Sequence, residues 1–244
     1  SRIPFYGFRN KPKNIIVSHI YKHLGTKFCG SFSMMPEMRT RAALMSGVNR
    51  SLSHKFLRHT GISVQKKTQV LGALMVSKGF YNAGTWPKLT IAEFRVVHSA
   101  VMKAYKNAFG DHYTKEYESD ASIIARCGLM APANMLRVMR CGVFARVCAT
   151  APPIVISVLC ASATNQKSWM YSVFDDFKWG AGKSTFFNLD PNEVEQWIVL
   201  AQCKTKCFRK HAFDVCAMPA YNKPQEWGVS ISVVRNADEV HVCS

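Results

Sequence analysis

Two clusters in the second half of the chain contain residue types that could do chemistry. The first, residues 180–185, includes the Gly-Lys-Ser sequence of a phosphate-binding loop. Such a loop needs Gly, four residues and then Gly-Lys, placed directly after a buried strand. Here Phe177 occupies the position of the first glycine, and no apolar strand precedes it. We therefore interpret residues 180–185 as a surface turn.

The second cluster is Cys203, Cys207, His211 and Cys216, which have the spacing C-x3-C-x3-H-x4-C. On one continuous helix the first three share a face and could bind zinc. The same small residues could instead pack against the core, since cysteine is among the most buried residue types. We favour packing and keep zinc as the alternative. No other metal site is expected, and no Ser-His-Asp or Cys-His catalytic set is predicted.

Positive charge is concentrated in the first 110 residues. They hold 18 Lys and Arg but only two acids, Glu37 and Glu93, whereas residues 111–244 hold 14 basic and 13 acidic residues. Nearly all of the formal net charge of +17 therefore lies in the first part. Because so few acids offset the basic residues, the positive charges of this part repel one another unless a polyanion neutralises them. We therefore expect RNA, DNA or an RNA–DNA hybrid as partner. A basic surface that only confers solubility is the alternative.

Length and composition narrow the class of protein. The 244 residues are 48% hydrophobic and 11% aromatic, which is typical of a folded chain of one or two domains. The longest apolar run, residues 151–163, is shorter than the roughly 18 residues that cross a membrane, so no membrane partner is expected. The nine cysteines lack the spacing of a secreted scaffold, and we expect a reducing intracellular compartment, nucleus or cytoplasm. The chain starts at Ser1 with no signal segment, and we expect it to be part of something longer.

The hydrophobic pattern predicts a mainly α chain that begins with a short β-hairpin. Residues 15–28 have the pattern of two short strands around a turn. Three helices follow, which could form a small basic bundle. They run from Pro36 to just before Gly61, from after Ser63 to the closing residues 81–84, and from the Thr90–Glu93 capping box to Gly110.

The composition changes at residues 111–118, and we place a domain boundary there. The domains are therefore 1–30, 31–118 and 119–244. The third is predicted to be mostly helical with a strand at its end. Its elements are a short helix capped by Ser119 or Asp120, a helix from Pro132 to Pro152, helices near 154–163 and 167–177, one helix from Asp190 to about Cys216, and a strand at 227–234.

Several blocks in the basic part occur in a recognisable order. Residues 21–25 read Tyr-Lys-His-Leu-Gly, and a helix with Arg39 and Arg41 follows. The next helix ends at residues 79–86, Gly-Phe-Tyr-Asn-Ala-Gly-Thr-Trp, and the third ends at Gly110. This succession resembles the end of the palm and the thumb of non-LTR retrotransposon reverse transcriptases of the long interspersed element type. It covers residues 15–110, and residues 119–179 resemble more loosely the region after the thumb.

The resemblance implies the C-terminal part of an RNA-directed DNA polymerase. Residues 1–30 would end the palm, 31–118 would form the thumb, and 119–244 would have an unknown role; the remainder of the polymerase lies upstream and is an expected partner. A thumb holds the template–primer duplex through phosphates without reading sequence. The basic residues to which this role carries over are Lys22, Lys27, Arg39, Arg41, Arg50, Lys55, Arg58, Lys66 and Lys67. Trp86 is expected to be core.

The chain departs from the family in lacking its metal-binding carboxylates, which lie upstream of the matching region. Mg²⁺ is therefore expected only for the upstream palm, no cofactor is expected here, and the chain alone is expected to be inactive. Phe174-Asp175-Asp176 is the nearest imitation of the catalytic motif, and we interpret it as a solvated helix face. The first alternative function is a structural RNA-binding protein of a ribonucleoprotein particle. The second is a small enzyme in residues 119–244.

Overall fold

The computed structural model describes residues 2–6, 12–16, 20–23, 25–109, 119–181, 183, 189–190 and 193–217. Over these residues the chain is mainly helical, which confirms the predicted fold class. Among them, no helix is both long enough and apolar enough to cross a membrane. The boundary predicted at 111–118 and the strand predicted at 227–234 lie outside the described residues.

Two compact units make up the chain. Unit 1 comprises Ser1–Asn82 and Leu89–Glu116, and unit 2 comprises Ala83–Lys88 and Tyr117–Ser244. The short segment between the second and third helices thus belongs to unit 2, although the sequence analysis placed it within the bundle.

Unit 1 starts with two antiparallel strand pairs. Strand β1 (Arg2–Tyr6) pairs with β2 (Pro12–Ile16), and β3 (Ile20–His23) pairs with β4 (Thr26–Cys29). The turn between β3 and β4 passes through Gly25 at φ +83°, a conformation that residues with a Cβ rarely adopt. The predicted hairpin is confirmed at β3 and β4, whereas β1 was not predicted.

Three helices complete the described part of unit 1 and pack on one another. They are α1 (Met35–Leu52), α2 (Val64–Gly79) and α3 (Ile91–Phe109), as predicted. A π-helical turn, Ser53–Leu57, extends α1. Because a π turn contains an extra residue, the buried apolar position falls on Leu57, which is fully buried, while Phe56 is half-buried.

The carboxylate of Glu93 joins the start of α3 to the start of α1. It accepts hydrogen bonds from Thr90 N at 2.9 Å and Thr90 Oγ1 at 3.0 Å, which confirms the predicted capping box. It also accepts from Met34 N at 2.7 Å and Ser33 Oγ at 3.1 Å. Burial opposes the charge of Glu93, but these four hydrogen bonds outweigh it and lower the pKa of the carboxyl group.

Replacing Glu93 by glutamine should therefore destabilise unit 1 by about 2 kcal/mol at pH 7, because a single amide oxygen cannot accept from all four donors. A lowered pKa stabilises the fold above the unfolded value of about 4.3, and this contribution is lost as the pH falls through the folded pKa. Urea unfolding from pH 7 to pH 3 should show the gap between wild type and variant closing. The exposed Glu195→Gln change is the control, and a gap that is the same at every pH would contradict the assignment.

Unit 2 is built around α5. Its helices are α4 (Asp120–Cys127), α5 (Pro132–Thr150), α6 (Pro153–Ala161), α7 (Trp169–Ala181), α8 (Val194–Cys203) and α9 (Thr205–Ala217), with 3-10 turns at Ala83–Thr85 and Ser162–Thr164. Helix α5 contacts α7, α8, α9 and the Ala83–Thr85 turn. The helix starts predicted at Ser119 and Pro132 are confirmed.

The Ala83–Thr85 turn lies directly against the backbone of α5. A Cβ atom added to Gly84 would lie 2.4 Å from Val143 Cγ2 and 2.6 Å from Met139 O, so no side chain fits there. Trp169 Nε1 donates to Gly84 O at 2.6 Å and fixes the turn from α7. Trp86, which follows the turn, is buried, and this confirms its predicted core position.

The single helix predicted from Asp190 to Cys216 is wrong, because the chain breaks at Lys204 between α8 and α9. The ring centroids of Trp197 and Phe208 lie 6.5 Å apart. On one straight helix residues eleven apart are separated by about 16 Å along the axis. Both rings also contact Phe177, so the chain has to fold back at Lys204 to bring them together.

Candidate nucleic-acid interface

Most of the predicted basic residues lie on the surface of unit 1. Six of the nine are exposed: Lys22, Arg39, Arg50, Lys55, Arg58 and Lys66. Lys27 is half-buried, and Arg41 and Lys67 are buried. We call the six exposed residues the basic surface.

The two acids of residues 1–110 are both buried. Glu37 is fully buried and Glu93 is 5% exposed, and both carboxylates are bonded inside unit 1. The described surface of unit 1 therefore carries cations and no carboxylate. No carboxylate of this described surface offsets the positive charge, so the exposed cations attract a polyanion in solution with their full charge.

Arg41 was expected on the outer side of α1, and this is wrong. Its Nε donates to Glu37 Oε1 at 2.6 Å, one turn away, while Glu37 Oε2 accepts from Lys27 N at 2.7 Å. The other guanidinium nitrogens donate to Gly25 O at 2.9 Å and Lys78 O at 3.3 Å. The Arg41 guanidinium thus joins the hairpin, α1 and α2, and we leave it out of the interface.

Lys67 was also expected to face outward, but its side chain is only 5% exposed. It is four residues before Leu71 and eight before Met75, which are both buried. Residues at this spacing share one helix face, so the face of α2 that carries Leu71 also takes the stem of Lys67 inward.

Four residues of the basic surface lie close together in the chain around the start of α2. Arg50 lies in the last turn of α1, Lys55 and Arg58 lie in and just after the π turn, and Lys66 lies in the first turn of α2. Ser63 caps this helix by accepting from Lys66 N at 3.4 Å. The positive end of the α2 dipole adds to the attraction for an anion at this place.

Among the described residues of unit 1, three further exposed cations were not among the predicted site residues. They are Lys78 on α2 and Arg95 and Lys103 on α3. The depletion of acids could have identified them, since it applies to the whole of unit 1 and not only to α1 and α2.

Unit 2 differs from unit 1 because its described part contains ion pairs in which acids face basic side chains. Arg140 donates to both carboxylate oxygens of Asp176, at 2.6 and 2.9 Å, and the two side chains are buried. Lys88 Nζ lies 3.0 Å from Asp175 Oδ2. The interpretation of residues 174–176 as a solvated face is therefore wrong for Asp176 and for Phe174, which is also buried. Burial raises the pKa of the Asp176 carboxyl group, although the arginines act in the opposite direction.

The four candidate zinc ligands are divided between two helices. Cys203 is exposed at the end of α8, Cys207 and His211 are half-buried on α9, and Cys216 is buried near the end of α9. Within the described ranges, no three His, Cys, Asp or Glu side chains form a group that could hold a metal. Burial also raises the pKa of Cys216 to about 11, and the thiolate is the form that binds metal. Zinc binding stays a prediction from the sequence.

The turn predicted at residues 180–185 is wrong for Gly180 and Ala181, which end α7. Lys183 lies in a turn, and its N–H donates to Gly180 O at 2.9 Å. Comparison of the chain with protein-family models, with curated proteins and with solved structures gives no match.

Proposed function

We propose that the chain is part of an RNA-directed DNA polymerase of the retrotransposon type, in which unit 1 grips the template–primer duplex by its phosphates. The single observation that carries the proposal is the surface of unit 1, which has many cations while its two described carboxylates are buried. The order of the sequence blocks supports the assignment to a thumb.

Phosphate contacts suit this surface better than base contacts do. Arginine grips a phosphate through two nitrogens and lysine acts as a point charge, and neither mode depends on the sequence of the nucleic acid. Helices α1 and α2 supply both residue types within a short length of chain. We therefore expect binding that depends strongly on salt and weakly on sequence.

Polymerase chemistry is not assigned to this chain. The Mg²⁺ ions of such polymerases need exposed carboxylates, and both Glu37 and Glu93 are buried and hydrogen-bonded. The described residues of unit 1 therefore do not fit the metal, and the role proposed for them is to hold and orient the duplex for an upstream palm.

Two variants with the same net charge test the proposal. One replaces four residues of the basic surface, Arg50, Lys55, Arg58 and Lys66, by glutamine. The matched control replaces four exposed lysines of unit 2, Lys167, Lys178, Lys204 and Lys206, by glutamine. Fluorescence anisotropy of the full chain with an RNA–DNA hybrid, over a salt series, measures affinity and salt slope.

The unit 1 variant should bind at least about tenfold more weakly at low salt, and its log–log salt slope should become shallower by about 0.9 for each phosphate that is no longer neutralised. The unit 2 control should stay within about threefold of the wild type. Equal losses of affinity in the two variants would show that net charge alone governs binding and would contradict the proposal. Tighter binding to single-stranded RNA than to the hybrid would favour the ribonucleoprotein alternative.

A further inference from the structure

A group of cations surrounds Trp179 in unit 2. The guanidinium carbon of Arg137 lies 4.0 Å from the centre of the Trp179 ring, and Lys183 Nζ lies 4.3 Å from the same centre. The two positive charges are therefore at most about 8 Å apart, where like charges still repel. Contact with the ring attracts each of them only weakly. We call Arg137, Trp179 and Lys183 the cation cluster.

The nearest acids are already occupied. Asp176 holds Arg140 through two hydrogen bonds, while Arg137 Nε lies 3.6 Å from Asp176 Oδ1, which is too long for a hydrogen bond. Asp175 pairs with Lys88. Among the described residues, a single carboxylate therefore faces two arginines, and the charges of Arg137 and Lys183 exceed that of their acidic neighbours.

The end of α9 accounts for only part of this excess. Asn134 Nδ2 donates to Cys216 O at 2.9 Å, and Arg137 Nη1 donates to Asn134 Oδ1 at 2.8 Å, so Arg137 lies near the negative end of the α9 dipole. A helix end carries about half a negative charge. More than one positive charge therefore stays uncompensated in the cation cluster.

A buried donor and a small cavity lie at the same place. Arg137 Nε is buried and has no hydrogen-bond partner among the described residues. Arg137, Trp179, Cys141 and Cys216 line a cavity of about 10 Å³, which is the size that holds about one water-sized atom. Arg137, which carries this unpartnered donor, is thus part of the cavity wall.

We infer that the cation cluster binds a phosphate group, with Arg137 taking one oxygen and Lys183 another. Phosphate offers several oxygens and enough charge for both cations, and arginine and lysine are the side chains that bind it. Lys183 is exposed, and its flexible stem allows Nζ to approach such a ligand. The phosphate belongs to a free phosphate compound or to the backbone of a single nucleic-acid strand. The site consists of residues of unit 2 alone, and the inference does not rest on the basic surface of unit 1.

Isothermal titration of the full chain, at fixed ionic strength in chloride, tests the site with two probes. One is inorganic phosphate, and the other is a short oligothymidylate without terminal phosphates. Lys183→Ala is compared with Lys178→Ala, which removes an exposed lysine from α7 and gives the same net charge. Any binding to unit 1 is the same in both variants, so their difference reports the cation cluster.

Lys183→Ala should weaken the binding of one probe by about tenfold, whereas Lys178→Ala should change it by less than about twofold. A loss for inorganic phosphate identifies a free phosphate compound as the ligand, and a loss for the oligothymidylate identifies a nucleic-acid backbone. Arg137→Lys keeps the charge but loses the fork of donors, and it should weaken the same probe. If Arg137→Lys does not fold, the comparison of Lys183→Ala with Lys178→Ala still tests the inference, because both lysines are exposed. Equal affinities of Lys183→Ala and Lys178→Ala for both probes, or no binding of either probe by the wild type, would overturn the inference.

Discussion

Replacing Phe177 by alanine should lower the free energy of unfolding of unit 2 by about 3–5 kcal/mol. Phe177 is 1% exposed and stacks on Trp197 with ring centroids 4.3 Å apart. It also meets Phe144 at 5.2 Å and Phe208 at 5.8 Å, both in edge-on geometry. These partners lie on α8, α5 and α9, so the Phe177 ring fills the place where four helices meet. Its removal leaves a cavity that the surrounding helices cannot close.

Hydrogen exchange of the α5 amides, measured over a urea series, reports the stability of unit 2 separately from that of unit 1. Near-UV circular dichroism should also change, because the stacked Trp197 loses its partner. Phe213→Ala on α9 is the matched control, since Phe213 is 52% exposed, and it should change the free energy of unfolding by less than about 0.5 kcal/mol. A loss below about 1 kcal/mol for Phe177→Ala would mean that the ring contacts do not hold these helices together.

The helix starts could be predicted from the sequence because their causes are local. Ser63 accepts from the amide three residues later, as does Thr90, and Pro132 occupies a first helical turn. Each arrangement is complete within four residues of chain. The hairpin at β3 and β4 likewise depends on a single turn around Gly25.

The features that the sequence did not predict depend on partners far along the chain. The break at Lys204 exists because Trp197 and Phe208 both pack on Phe177, which lies in another helix. The burial of Arg41 depends on the carbonyl of Lys78, 37 residues away. No local pattern contains either contact.

In the candidate interface, too, some features could be predicted from the sequence and others depend on contacts between elements. Composition predicted a basic first half, and the exposed positions of Arg39, Arg50, Lys55 and the rest of the basic surface agree with it. Composition could not indicate that Glu37 and Glu93 are buried, because each carboxylate is held inside unit 1 by hydrogen bonds from residues of other elements. That burial leaves the described surface of unit 1 without a carboxylate.

Asp176→Ala should destabilise unit 2 by about 3–5 kcal/mol, because it leaves Arg140 as a buried charge without its partner. The Arg140 side chain is 10% exposed and the Asp176 side chain 4%, and their two hydrogen bonds are short. Asp175→Ala is the matched control on the same helix. Asp175 forms a surface pair with Lys88 in which both side chains are about half exposed, and its loss should cost about 0–1 kcal/mol.

The double variant Arg140→Met/Asp176→Leu should recover most of the stability that Asp176→Ala loses and lie within about 1 kcal/mol of the wild type. Burial raises the pKa of Asp176 even though two arginines lie beside it. The free-energy cost of burying the carboxylate charge is therefore larger than the stabilisation by the arginines. Two apolar side chains of similar volume remove that cost together with the attraction. Urea unfolding of the wild type, Arg140→Met, Asp176→Leu and the double variant gives the coupling energy of the pair. If the double variant is as unstable as Asp176→Ala, Asp176 is needed for a second charge, and Arg137, with its Nε 3.6 Å from the carboxylate, is the residue that this result would identify.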